Sequence, residues 1–282
     1  PGIRAWARIP AGVFHLLPIT VFFQEVCGKE VNMTEQKPVI GGRAHNLEQV
    51  REVCALGYPF AEVSLLDPRE TKAMLPDLSR IRERTGISYL AHYPNEDNPF
   101  DVGVLRQRFF PRLAELFDLS AELGISKGTI HFWMDARWAP PDLVAGKIEL
   151  LGEIVDRARE KGITVCIENL SERVESFRKA FDAIPDLRMT LDIGHAQLLA
   201  RENTSFAFIR DAFERIAHIH VHDNHGGTSV KDDLHLAVGE GVIDYPGILR
   251  MLKERGYHST ITMEVMPADM KKTRDILDRY FL

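Results

Sequence analysis

One phrase recurs along this chain and limits what it can become. A stretch with helical spacing closes on a glycine, and a short β-branched run follows. The glycines are Gly57, Gly86, Gly124, Gly162 and Gly256, each suited to the left-handed residue that ends a helix. The runs fall at 39–42, 61–66, 89–93, 129–133, 165–169, 189–193, 217–223 and 261–265. Between them, sets such as Leu47/Val50/Val53, Leu113/Leu116/Phe117, Ile148/Leu151/Ile154/Val155 and Ile248/Leu249/Leu252 keep helical spacing. Asn46, Asp101, Ser171 and Asp244 stand where helix N-caps are expected. Strands alternating with helices build a parallel sheet. Eight such units in ~250 residues build a closed α/β fold, the (β/α)8 or TIM barrel.

The length of 282 residues would otherwise suggest about two domains. No linker or low-complexity segment divides the chain, so residues 34–282 are read as one barrel domain. Residues 1–33 are read as an N-terminal extension. Its apolar stretch, 14–23, is broken by Pro18 and is about half the ~20 residues needed to span a bilayer. Arg4 and Arg8 precede it as in a signal peptide, but no small-residue cleavage site follows, and Met33 resembles a start. No other stretch is apolar enough to cross a membrane. The three cysteines, Cys27, Cys54 and Cys166, form no CxxC pair, so a reducing cytoplasm is expected. The net charge of −6 weighs against a general nucleic-acid binder.

Strand parity locates the chemistry. Alternate residues of a strand face opposite sides. Val165 and Ile167 suit the helix layer, so Glu168 points into the barrel. By the same count Asp192, His218, His220, His222 and Glu264 point inward, as do Glu62, His92 and His131 on earlier strands. All lie near strand C-termini, where barrel active sites are built. One inward His or Glu is most simply a hydrogen-bonded plug. Several carboxylates gathered in one barrel mouth repel one another and are costly to bury, and a cation relieves them. Mixed imidazole and carboxylate donors from Glu168, Asp192, His195, His220 and Glu264 suit Zn, Mn, Co or Fe.

These phrases resemble a family. Ile167-Glu168-Asn169, Leu191-Asp192-Ile193-Gly194-His195, His218 to Asp223, His235 to Gly241 and Met263-Glu264-Val265 look like the xylose isomerase-like barrel superfamily. It includes sugar isomerases and epimerases, and also the endonuclease IV class of DNA-repair enzymes. The resemblance spans residues ~37–282, the whole barrel. In the isomerase branch it implies one divalent metal on Glu168, Asp192, His220 and Glu264, with Glu168 and Glu264 moving a substrate proton. In the endonuclease branch it implies up to three metals, with His92, His131, His195, Asp233 and His235 as further ligands. In the first branch those five serve as further metal or substrate-binding residues.

The full donor set favours the phosphodiesterase branch, and other features oppose it. The loop after the third strand, His92 to Asn98, carries Glu96 and Asp97 and lacks the tyrosine and leucine wedge of that class. Acidic groups there are expected to repel phosphates. The expectation is therefore an isomerase or epimerase of a small sugar, sugar phosphate or polyol, with an endonuclease IV-like hydrolase as the alternative. A small-molecule partner is expected and nucleic acid is not, and a homo-oligomer is compatible with the sequence. A metal-stabilised scaffold without catalysis is the remaining class, and turnover separates it.

Trp133 and Trp138 either stack on a sugar or pack the loop after the fourth strand onto the rim. His45 is read as incidental, and His222 and His225 are not taken as ligands. Arg43 and Lys127 could meet a phosphate, but no Gly-rich cradle surrounds them. Gly239-Glu240-Gly241 is read as a tight turn.

Overall fold

The computed structural model describes residues 37–281, and the reading of residues 1–33 lies outside the described residues. The eight parallel strands are β1 (Val39–Ala44), β2 (Phe60–Ser64), β3 (Ser88–His92), β4 (Lys127–His131), β5 (Thr164–Glu168), β6 (Arg188–Asp192), β7 (Ile216–Val221) and β8 (Thr260–Met263). They pair in sequence order, and β8 pairs with β1 to close a barrel. The helices are α1 (Leu47–Ala55), α2 (Pro68–Thr85), α3 (Val102–Val104), α4 (Phe110–Glu122), α5 (Pro141–Arg159), α6 (Val174–Ala183), α7 (Ser205–Asp211), α8 (Tyr245–Glu254) and α9 (Pro267–Phe281). A π-helical turn, Leu105–Phe109, joins α3 to α4. No helix among the described residues is long and apolar enough to cross a membrane.

The recurrent glycines do what the phrase requires: Gly57, Gly86, Gly124, Gly162 and Gly256 all have φ between 66° and 77°. Asn46, Asp101 and Asp244 accept backbone N–H groups at the starts of α1, α3 and α8. Ser171 does not cap a helix. The next one, α6, starts at Val174 after Arg173 with no side-chain cap. The Glu172 carboxylate accepts N–H bonds from Leu170, Ser171 and Met134. It thus folds this segment against the loop after β4, and the Ser171 hydroxyl donates to Asp135 instead.

The parity reading holds across the sheet. Val165, Ile167, Leu191, Ile193, Ile219, Val221, Ile261 and Met263 are buried in one core with the helices. At the start of β4, Lys127 donates from Nζ to Ala217 O and to the Ser259 and Thr260 hydroxyls, at 2.7–3.0 Å. It is therefore committed to the strand N-terminal side and not to a phosphate.

Gly128 shows how tightly the layers meet. A Cβ there would lie 2.2 Å from Tyr93 Cε2. Tyr93 is fully buried, with its hydroxyl donating to Ser120 Oγ at 3.0 Å, so it cannot swing clear. Overpacking of this kind costs ~1–3 kcal/mol. Gly128→Ala is expected to lower the unfolding free energy by that amount, read as a lower urea midpoint at an unchanged m-value, and an unchanged midpoint would show that the ring yields.

Candidate metal centre

The ends of β5, β6, β7 and β8 bring four donors together. His220 Nδ1 lies 3.0 Å from Glu264 Oε2, 3.3 Å from Glu168 Oε1 and 3.6 Å from Asp192 Oδ2. Adjacent ligands of one cation with ~2.1 Å bonds are ~3.0–3.4 Å apart, so the two glutamate distances match edges of one coordination polyhedron and the Asp192 distance lies just beyond them. The ring is aimed from behind. Glu62, fully buried on β2, receives His220 Nε2 at 2.9 Å and His218 Nε2 at 3.0 Å. That clamp leaves Nδ1 as the free donor, the usual device for fixing a ligating imidazole. Asn169 ties β5 to β6, donating to Asp192 O and accepting from Asp192 N, both at 2.9 Å. Arg43 Nε donates to Glu264 Oε1 at 3.2 Å. This residue serves Glu264 and does not stand free for a phosphate.

The other expected residues converge on the same mouth. His131 Nε2 and His92 Nε2 lie 3.0 and 3.4 Å from Glu168 Oε2. His195 Nδ1 lies 3.2 Å from Glu168 Oε1. Asp233 Oδ2 sits between His195 Nε2 at 3.2 Å and His235 Nε2 at 3.1 Å. His235 holds φ 48°, a left-handed conformation that costs a non-glycine residue ~1–3 kcal/mol. Its Nδ1 meets Glu264 O at 2.9 Å, which pins it there. The loop carrying these residues is organised by Asp223, whose carboxylate accepts N–H bonds from Asn224, Gly239 and Ile243. Gly239-Glu240-Gly241 turns against it, as expected.

The sequence does not single out His222 as a ligand, yet it is fully buried in the mouth with Nε2 3.1 Å from Asp192 Oδ1. His225 is exposed. His45 meets the Ser64 hydroxyl at 3.2 Å and lines the cavity. Trp133 also lines the cavity, whereas Trp138 is 54% exposed with the Arg137 guanidinium over its ring.

Glu168 Oε2, Asp192 Oδ2, Asp233 Oδ1, His131 Nε2 and both ring nitrogens of His222 are buried without a hydrogen-bond partner. Buried polar atoms are rarely left so. Their convergence on one mouth, in a mixed oxygen and nitrogen set, fits a divalent transition metal.

The carboxylates and rings of the mouth shift one another's affinity for protons. Burial pushes the Glu168 carboxyl up, but His131 and His220 outweigh it and hold it well below the usual range. Burial and His220 act on Glu264 in the same opposed way, with the same result. Burial pushes His220 down, and Glu62, Glu264 and Glu168 carry it well above an ordinary histidine. His235 is likewise depressed by burial and then raised to about 9, chiefly by its bond to Asp233. His218 goes the other way: burial takes it to about 4, against the pull of Glu62.

Two lobes open from the mouth. A polar one of about 620 Å³ is lined by Arg43, His45, Ser64, Asp97, Arg112 and Glu264 among others. An apolar one of about 610 Å³ carries Phe100, Trp133, Leu170, Leu198, Leu199 and Val230. They share Asn95, His131, His195 and Asp233. The expected repulsion by the loop acids is not what this arrangement gives. Glu96 is paired with buried Lys147, and Asp97 with Arg112 at 3.2 Å, so neither charge stands unopposed.

The model of one family, the xylose isomerase-like TIM barrel, matches residues 50–280. The chain belongs to that family. It is 26% identical over 234 residues to the uncharacterized protein MJ1311 of Methanocaldococcus jannaschii, a match covering 76% of each chain. Among solved structures it resembles a D-tagatose 3-epimerase-like protein, with a TM-score of 0.70, 23% identity and coverage of 86% of this chain and 96% of that one. It also resembles the TTHB071 protein of Thermus thermophilus, soaked with ZnCl2, with a TM-score of 0.67, 25% identity and coverage of 86% and 97%.

Proposed function

We propose that this barrel is a divalent-metal-dependent isomerase or epimerase of a small sugar, sugar phosphate or polyol. The observation that carries the reading is the placement of Glu168 and Glu264. They are two buried carboxylates, 3.3 and 3.0 Å from His220 Nδ1, and Glu264 lines the polar lobe. Glu168, Asp192, His220 and Glu264 would hold the cation, which when bound polarises a substrate carbonyl and its neighbouring hydroxyl. One glutamate removes the proton from the substrate carbon and the other returns it. Arg43 fixes the orientation of Glu264 and adds to the pull of His220 on its carboxyl. The clamp from Glu62 holds His220 in one rotamer and one tautomer. His45 and Arg112 offer donors to hydroxyl or phosphate groups in the polar lobe.

The test is proton exchange. The metal-loaded protein, incubated in D2O with a panel of ketoses and aldoses, should place deuterium on the carbon beside the carbonyl of its substrate. A panel that shows no exchange with metal fully bound would count against the reading. Metal uptake also carries a pH dependence with a definite sign. His235 is protonated below about 9, so a cation that engages it displaces a proton. Apparent affinity should climb from pH 6 towards pH 9, and calorimetry in two buffers of different ionisation enthalpy should read proton release. His220, also held above an ordinary histidine, gives up a proton in the same way, so no released proton at pH 7 would show that neither ring enters the bound set.

One observation favours a second reading, a multi-metal phosphodiesterase of the endonuclease IV kind. His92, His131, His195, Asp233 and His235 surround the four-donor set, and overlapping clusters of metal-ligand geometry include His92–Glu168–His220 and His222–His235–Glu264. Cleavage of an abasic-site duplex without any sugar, and steep loss of binding with salt, would promote it.

A further inference from the structure

Nothing in the proposed chemistry uses the apolar lobe. The polar lobe, about 620 Å³, already has the size of a small-molecule site, ~300–1,000 Å³. A simple sugar does not need a second recess of about 610 Å³. Yet the loops after five successive strands build that recess. Phe100 follows β3, Trp133 follows β4, Leu170 follows β5, Leu199 follows β6 and Val230 follows β7. Phe100 is 65% exposed and Val230 is 90% exposed. Apolar side chains gathered on one exposed recess mark a ligand or partner site.

Several polar groups on the lobe wall are already spent on the protein itself. Glu96 is held by Lys147 and accepts the Trp133 backbone N–H at 2.8 Å. The Ser171 hydroxyl accepts from Trp133 Nε1 at 3.1 Å and donates to Asp135 at 2.9 Å. Ser229 Oγ accepts the Lys231 N–H at 3.1 Å. A sugar lodged here would bury hydroxyls against groups that are engaged, which is costly. Phe100 and Trp133 offer aromatic carbon instead, with ring centroids 5.2 Å apart and planes tilted by 60°.

Leu199 is held under strain. Its φ of 54° is left-handed, an outlier for a bulky side chain and a conformation that glycine adopts freely. Both backbone groups are tied: the N–H donates to Gly227 O at 2.8 Å, and the carbonyl accepts from Arg173 Nη2 at 2.7 Å. Strain of this kind gathers at ligand sites. What leucine adds over glycine here is a side chain on the lobe.

His131, His195 and Asp233 line both lobes, so a ligand in the apolar lobe is continuous with one at the metal donors. A recess that opens onto those donors suits part of one small molecule, whereas a protein partner needs a face of ~800 Å². We propose that the substrate is a sugar or polyol that carries an aryl group. Its hydroxylated end reaches the mouth, and its ring fills the apolar lobe against Phe100, Trp133 and Leu199. The inference rests on the proposed function for the hydroxylated end and on the lobe alone for the aryl group.

The test pairs each sugar of a ketose and aldose panel with its benzyl ether at the carbon farthest from the carbonyl. Calorimetry on the metal-loaded full chain reads Kd, and deuterium exchange is followed in parallel. The ether of at least one pair should bind ~10-fold or more tightly than its parent. Phe100→Ala should shrink that ratio, and so exposed a ring can be removed without unfolding the barrel. Leu199→Gly relieves the left-handed backbone and should shrink the ratio as well. Parents and ethers that bind alike, or variants that keep the full ratio, would overturn the inference, while exchange on the parent sugars would leave the proposed function standing. Tighter ethers with no exchange on any sugar would sustain the assignment of the lobe and count against the proposed function. A ratio that collapses as protein concentration rises, with dimers in sedimentation, would give the lobe to a second copy of the chain and overturn the inference.

Discussion

Glu168→Gln should abolish proton exchange and empty the cation site together. Glu168 is the most heavily engaged group in the mouth. Its carboxylate lies within 3.4 Å of His92, His131, His195 and His220, and it is almost wholly buried. The amide keeps the shape and removes the charge. It is a weaker ligand and no base, and loss of a positioned base alone costs ~10²–10⁴-fold in rate. Loss of the anion also leaves rings that were held protonated by it without their partner. His220 is the clearest case, since Glu168 is one of the three carboxylates that raise it. The measurement is kcat for deuterium incorporation beside metal content by mass spectrometry. A variant with full metal and full exchange would remove Glu168 from both roles.

Much of this mouth is legible in the sequence because strand parity is local. Once Val165 and Ile167 are assigned to the helix layer, Glu168 has one direction left, and the same count places Asp192, His220 and Glu264. The helix ends are legible for the same reason, since the left-handed residue that closes a helix is most cheaply a glycine. What parity does not give is distance across the barrel. His222 counts as inward, but its place there depends on the space left by Gly194, where a Cβ would fall 2.0 Å from the ring, and on Asp192 and Asp233 from other segments. Glu62 also counts as inward, but its grip on His218 and His220 joins β2 to β7. The loop acids mislead for a related reason. Their charge is visible in the sequence, while the cations that oppose it, Lys147 and Arg112, stand on helices. Ser171 fails as a cap because the helix starts three residues later, at Val174, and its hydroxyl is drawn to Asp135 instead.

Lys147→Met should destabilise the protein by ~3–5 kcal/mol, the usual effect of removing one partner from a buried ion pair. Lys147 projects from α5 beneath the loop after β3 with its side chain 0% exposed, and Glu96 is 5% exposed. The ammonium also donates to Pro99 O at 3.2 Å and lies over the Phe132 ring at 4.5 Å. Glu96 in turn accepts the Trp133 N–H at 2.8 Å, so the pair ties the β3 loop to the β4 loop. Burial pushes Glu96 up and Lys147 down, each against the charge of the other. Desolvation is therefore the larger influence on both, and the pair gains little net stability while being severe to break. A double-mutant cycle separates these statements. Glu96→Gln with Lys147→Met should recover most of what Lys147→Met alone loses, because the uncompensated carboxylate is gone while the amide can still accept from Trp133. The loop also walls both lobes through Asn95. The single variant should therefore raise KM more than it lowers kcat, since no group that moves the proton has changed. A double variant as unstable as the single one would mean that Lys147 acts by packing under Phe132 and not by its charge.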